Sequence, residues 1–382
     1  MKLAEFDDPR WDEVIDKVTV EEFLAFAGNA FHKIAPLESV GYMGNNADDG
    51  PGGSDTHYLQ EGSYKGTPYA DAEEYEGYGS RVCPSPQNLA YSFNKELAYE
   101  NGQIILGEST LVLGLPIMIG PGANLHRHAY NGRGGEYYSE DPILSGYMCS
   151  AVVQGAQSKG CLVNIKHIGF NDQEINRSGI AVFMNEQKAR EMELRNLQQA
   201  FVANGKPASF VADETKAETY QIGALGVMSS YNRHGAVAAS ANKGTMQDIL
   251  RDEWGFKGYN VTDFTGVSLK AAPKESLLYG TTAFCGFGSP NFDYWKKGAE
   301  GIEQTLSQDK ALCEALKQDI HYVLYALANS AAINGTNNST HVEQLWSTWR
   351  VGYVAAIGVT GLMTLVFTVA AVIPSKKEKE AK

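Results

Sequence analysis

Gly255-Phe256-Lys257-Gly258-Tyr259-Asn260-Val261-Thr262-Asp263-Phe264 runs from a glycine turn into a short β-forming stretch that ends on a carboxylate. Just before it, Leu250-Arg251-Asp252-Glu253-Trp254 reads as the end of a helix. Helix, glycine turn and strand ending in Asp form one unit of a β/α barrel, whose strand C-termini face the active site. Ionised groups are rarely buried without a partner or a task. Asp263 is therefore the first candidate for a nucleophile or general base.

The same rhythm extends outward from this unit. Apolar runs at 115–120, 161–165, 223–229 and 259–262 alternate with helical patterns at 144–156, 185–203 and 245–254, as parallel βαβ units do. The expected fold class is α/β, a TIM-like (β/α)8 barrel, irregular or incomplete, followed by one C-terminal transmembrane helix. The 382 residues accommodate one barrel of about 250 to 350 residues and an appendage. Thr19 and Glu22 form a capping-box pattern ahead of Phe23, Leu24 and Phe26, which marks an early helix start. Residues 310–328 place Leu312, Leu316, Ile320, Val323, Leu324 and Leu327 on one face, the pattern of a helix that closes the domain. Residues 44–85 and 281–300 show no sustained period and read as rim loops.

Composition narrows the function. The net charge of -13 is diffuse, and phosphate contact requires a basic face that the sequence lacks, so no nucleic-acid partner is expected. The five cysteines are scattered without a CxxC pair, and they read as buried thiols. Residues 351–373 carry no charge and exceed the roughly 20 apolar residues that cross a bilayer. Trp346 and Trp349 precede this run, and Lys376, Lys377, Lys379 and Lys382 follow Pro374. The positive-inside rule then puts the C-terminus in the cytoplasm and the globular part outside, as a single-pass cell-membrane protein. Residues 1–8 have no apolar signal region, so either the export information lies outside this chain or the topology is reversed. The expected organisation is a barrel-like domain at 1–335, a linker at 336–350, the membrane helix at 351–373 and a basic tail at 374–382.

Polar clusters follow each apolar run: His126 and His128, then Arg133 and Glu136, then Lys166-His167, Glu174 and Arg177, then Met228-Ser229-Ser230-Tyr231-Asn232, and finally Asp263. His126-x-His128 lacks a third ligand, so neither a metal site nor a cofactor is expected. Arg133 with Glu136, and Arg177 with Glu174, stand at spacings that equally suit structural ion pairs, and Arg177 is assigned to structure.

The chain resembles glycoside hydrolase family 3 of the multidomain β-glucosidase type over roughly residues 10–335. The motifs are DGP from Asp49, GR-x-x-E at Arg133 and Glu136, SEDP from Ser139, QS-x-G from Gln157, KH at Lys166, SYN from Ser230, and LR-x-EWGF-x-G ending at Thr262-Asp263. The resemblance implies that Asp263 is the nucleophile of a retaining, exo-acting β-glycosidase. It further implies that Asp49, Arg133, Lys166, His167 and Tyr231 surround the sugar of a glycoside substrate, with Met228 lining the same subsite. Independently of the family, charge-assisted hydrogen bonds from such residues suit sugar hydroxyls. Cationic neighbours are also expected to keep Asp263 ionised.

Three features depart from the family pattern. Thr262-Asp263-Phe264 replaces the usual SDW, Gly134-Gly135 replaces bulkier residues, and the KHFPGHG loop of single-domain hexosaminidases is here Lys166-His167-Ile168-Gly169-Phe170-Asn171. In multidomain relatives the acid/base glutamate belongs to a second α/β sandwich domain, which has no room between residue 335 and the membrane run. The resemblance to members with reversed domain order and a C-terminal membrane helix implies that a preceding sandwich domain, or a partner chain, supplies the acid/base. The alternatives are a catalytically impaired sugar-binding pseudoenzyme or barrel fragment, and a tail-anchored scaffold.

Overall fold

A computed structural model of the chain describes residues 4–30, 33–50, 84–109, 111, 114–203, 206–207, 223–264, 272–285, 296–334 and 348–372. The chain divides into two compact units, Met1–Thr340 and His341–Lys382.

In the first unit a seven-stranded sheet follows chain order: β1 (Lys33–Ile34), β2 (Asn45–Asp49), β3 (Ile117–Gly122), β4 (Leu162–Ile168), β5 (Gly226–Ser229), β6 (Tyr259–Phe264) and β7 (Ala283–Cys285). Only β1 is antiparallel to its neighbour; the other described pairs are parallel. Parallel neighbours joined by helical crossovers give the β/α barrel, here irregular. Two elements differ from the sequence expectation. Asn45–Asp49 is a strand despite its NNADD composition, because Asn45 and Asn46 are buried and the backbone pairs with β3. Ala283–Cys285 is likewise a strand, paired with β6. The remainder of the two expected rim loops, 51–83 and 286–295, lies outside the described residues.

Strand alternation divides the core. Ile117, Ile119, Leu162, Met228 and Val261 pack with helices α1 (Arg10–Ile15), α2 (Val20–Ala27) and the later Lys310–Ala328. Met118, Val163, Ile165 and Val227 face the other way, as the two-residue period of a strand requires. They pack on α3 (Lys95–Asn101), α4 (Pro142–Ser158) and α5 (Arg195–Phe201). The expected helix at 185–203 is interrupted: between Glu186–Lys188 and α5, residues Ala189–Glu193 form a wider turn. The capping box is half made. Thr19 accepts the Glu22 amide at 3.1 Å, but the Glu22 carboxylate accepts from Ser39.

The unit ahead of β6 forms as its sequence indicates. After the helical segment Gly244–Glu253, Gly255 adopts φ +68°, and the Phe256 amide donates to the Leu250 carbonyl, the geometry of a left-handed helix stop. Buried Arg251 fixes the turn by donating to the Phe256, Gly258 and Gly280 carbonyls. A Cβ at Gly258 would lie 2.1 Å from the Leu225 carbonyl oxygen, so only glycine admits the chain here.

In the second unit, helix α7 (Thr348–Val372), counted after α6 (Lys310–Ala328), is long and apolar enough to cross a membrane by length and composition.

Candidate active site

Strand register brings the polar candidates to one end of the sheet. Asp49 ends β2, Lys166 and His167 lie near the end of β4, and Asp263 lies near the end of β6. The ladder slips between Ile119 and Gly122, between Lys166 and Ile168, and between Val261 and Phe264. Such irregularities re-aim side chains. Strict alternation would send Lys166 and His167 to opposite faces, yet both have polar ends in the cluster.

Lys166 Nζ lies 2.7 Å from Asp49 Oδ1 and 3.2 Å from Glu136 Oε1. Arg133 Nη2 lies 2.7 Å from Glu136 Oε2. Glu136 therefore bridges two buried cations, a role that its spacing to Arg133 alone does not reveal. His167 Nε2 lies 3.2 Å from Asp263 Oδ2, and the Phe264 amide donates to Asp263 Oδ1 at 2.9 Å. The Tyr231 phenol lies close enough to Asp263 for the carboxylate to raise its proton affinity. The Arg177 guanidinium lies 4.6 Å from the Tyr231 ring centroid and acts electrostatically on Asp263. Its expected ion pair to Glu174 is present at 3.2 Å.

Asn124 is a further missed residue, at the end of the Gly120-Pro-Gly-Ala-Asn run. Its side chain clamps the His167 backbone in both directions, accepting the amide at 2.8 Å and donating to the carbonyl at 3.0 Å. Tyr137 donates to the Asn171 carbonyl at 2.8 Å, with its oxygen 3.4 Å from His167 Nδ1. Met228 is buried in the apolar core, on β5 between Lys166 and Val261; none of the polar contacts above involves it. His126 and His128 have separate partners, the Tyr137 carbonyl and the Tyr130 amide. Among the described residues no group of three or more His, Cys, Asp or Glu is placed to hold a metal ion.

Burial and charge set the protonation states. Burial raises the Glu136 carboxyl, but Lys166, Arg133 and His167 outweigh it and bring the group down to about 2. Burial opposes the charge on Lys166, and Asp49 with Glu136 reverses that, so its net direction is up. Burial, reinforced by Arg133 and Lys166, drives His167 well below its ordinary value. It is neutral near pH 7, and its Nε2–H suits donation to Asp263. For Asp263 itself burial prevails: the Phe264 amide, Lys166, Arg133 and Arg177 oppose it, but the net direction is up. The neighbouring cations favour the ionised form as expected, while desolvation of the buried carboxylate opposes them and is the larger effect.

The family model described as Glycosyl hydrolase family 3 N terminal domain matches residues 60–276, more than half of the chain. A beta-glucosidase of Rhizobium radiobacter is 30% identical over 322 residues, covering 84% of this chain and 34% of that protein. An exo-alpha-(1->6)-L-arabinopyranosidase of Bifidobacterium breve is 31% identical over 264 residues, covering 67% of this chain and 31% of that protein. Among solved structures, beta-glucosidase 3B of Thermotoga neapolitana in complex with glucose superposes with a TM-score of 0.69 at 27% identity, over 86% of this chain and 44% of that one. The chain thus spans about a third of the length of these curated relatives. Its curled run of parallel strands, with the matched segment reaching through Asp263, is a barrel of this kind, and the chain belongs to glycosyl hydrolase family 3 through the N-terminal domain.

Proposed function

We propose that this protein works as a membrane-anchored, retaining, exo-acting β-glycosidase of β-glucosidase type, with Asp263 as nucleophile. The supporting observation is the setting of Asp263: one carboxylate at a strand end, with the His167 imidazole 3.2 Å away, the Tyr231 phenol nearby and the Phe264 amide donating to it. An Asp263 oxygen attacks the anomeric carbon as the bond to the leaving oxygen breaks, and water later releases the sugar. Asp49, Arg133, Lys166 and His167 supply directional partners for hydroxyls, and Met228 contributes an apolar wall. Arg133 Nη1 is buried without a hydrogen-bond partner among the described residues, a donor that a sugar oxygen would satisfy.

Glu136 is unsuited to protonate the leaving oxygen. A general acid needs a raised pKa, whereas this carboxyl is held at about 2. The acid/base is therefore assigned to a group outside the described residues, on an α/β sandwich domain or a partner chain. In the same reading the helix Thr348–Val372 crosses the membrane, and Lys376, Lys377, Lys379 and Lys382 stay in the cytoplasm. Protease protection of the tail in sealed vesicles tests that orientation.

The catalytic test is treatment of the full chain with an activated 2-fluoro-β-glucoside, whose good leaving group needs little acid assistance. The expected result is a stable mass increase on the peptide containing Asp263, absent in Asp263→Ala. Failure to label, or labelling that persists in Asp263→Ala, refutes the reading. A second reading, a sugar-binding pseudoenzyme, rests on the same buried polar cluster; it predicts glucose binding without labelling of Asp263.

A further inference from the structure

A cavity of about 540 Å³ lies on the helical side of the barrel and shares no lining residue with the Asp263 cluster. Small residues on α4 create it. A Cβ at Gly155 would lie 2.1 Å from the Tyr99 carbonyl oxygen, and one at Gly146 would lie 2.7 Å from the Gln199 side chain. Helices α3 and α5 therefore approach α4 closely from either side, and Ser150 and Ala151 form the floor between them.

The lining is amphiphilic in a specific way. Tyr147, half exposed, presents a ring at one wall with Lys95 Nζ 5.9 Å from its centroid, and Tyr99 lies on α3. Three carboxamides, Gln103, Gln154 and Gln199, line the cavity from three different helical segments. Gln154 reaches Ser150 Oγ at 3.0 Å, while the contacts of Gln103 with Tyr99 and Ser158 are long, at 3.4 and 3.3 Å. Each carboxamide offers both donors and an acceptor, which matches hydroxyl groups that also donate and accept. An aromatic face suits the C–H face of a pyranose. Lys95 is outnumbered by Glu96 and Glu100, so the local charge disfavours phosphate or another anion. The volume falls within the roughly 300 to 1,000 Å³ of ligand pockets.

We propose that this cavity is an accessory binding site for a neutral, pyranose-containing oligosaccharide. The site stands apart from the Asp263 cluster and does not depend on catalysis there. It would hold a glycan against the barrel wall by ring stacking on Tyr147 and hydrogen bonds to the three carboxamides.

Saturation-transfer NMR with cellobiose on the full chain in detergent tests it, using Tyr147→Ala, Gln154→Leu and Asp263→Ala, with inorganic phosphate as competitor. Asp263→Ala is expected to retain a cellobiose-binding component that Tyr147→Ala or Gln154→Leu, made in that background, weakens at least about fivefold. Tyr147 is half exposed, so its removal leaves the fold intact, and Gln154→Leu provides a second variant. No cellobiose binding, binding unchanged by both groove variants, or displacement by phosphate each overturns the proposal. Loss of all binding in Asp263→Ala alone also overturns it while leaving the nucleophile assignment standing. A groove-dependent signal without labelling of Asp263 supports this site and counts against the catalytic reading.

Discussion

Replacing Glu136 by Gln tests the electrostatic structure of the site most directly. The carboxylate lies 2.7 Å from Arg133 Nη2 and 3.2 Å from Lys166 Nζ, and its side chain is only 21% exposed. Its carboxyl stands at about 2 against an ordinary 4.5. By linkage, that gap contributes about 3 kcal/mol of stability at pH 7. Because the folded-state value is the lower one, the contribution is present above about pH 4.5 and is lost as pH falls through about 2. At pH 3 roughly 1 kcal/mol would survive by the same relation. Gln keeps the shape and one acceptor but leaves two buried cations short of a counter-charge, which is the costly way to break an ion pair. The expected loss in Glu136→Gln is therefore about 3 kcal/mol at pH 7, shrinking to about 1 kcal/mol at pH 3. Urea unfolding of the full chain in detergent, followed by fluorescence of buried Trp11 and Trp254, measures both values. A variant as stable as the parent at pH 7, or a deficit equal at both pH values, would refute the bridging role.

Further outcomes follow from the same contacts. Burial and the neighbouring Glu193 push the Asp172 carboxyl up to about 8; with the folded value above the unfolded one, stability falls as pH rises from about 4 towards 8, and Asp172→Asn should raise the thermal midpoint increasingly over that range. The acid limb of 2-fluoroglucoside labelling should lie above the ordinary Asp value of 3.8, because burial raises Asp263 and only its ionised form attacks; a limb at or below 3.8 contradicts the desolvation argument. Gly155→Ala places a methyl group 2.1 Å from the Tyr99 carbonyl oxygen and should cost about 1 to 3 kcal/mol by overpacking, as read by thermal unfolding. Thr19→Ala removes an N-cap bond of 3.1 Å and should cost about 1 kcal/mol, with Glu22→Gln nearly silent at that cap because Glu22 bonds Ser39 instead.

What the sequence makes legible depends on whether an element is specified locally. The turn before β6 is encoded within ten residues: Gly255 needs positive φ, Gly258 has no space for a side chain, and the apolar run between them and Asp263 is buried. β2 is encoded elsewhere. Its five residues are Asn, Asn, Ala, Asp and Asp, poor strand formers, and they become a strand because β3 offers a parallel edge. The interruption at 189–193 ends on Glu193, which is buried near Asp172. An amphipathic pattern alone carries no information about that pairing.

The site divides in the same way. Positions after apolar runs single out Lys166, His167 and Asp263, and the family motifs add Asp49, Arg133 and Tyr231 to the group, but partner choice requires register. Lys166 meets Asp49 across 117 positions of sequence, and it meets Glu136 beside a β3–β4 ladder that slips beyond Ile119. Once these pairings exist, the carboxylates diverge chemically: Glu136, between two cations, is locked in its charged form, while Asp263, bordered by neutral His167 and Tyr231, rises. Identical functional groups a few strands apart thus acquire opposite proton affinities through which neighbours the fold brings to each.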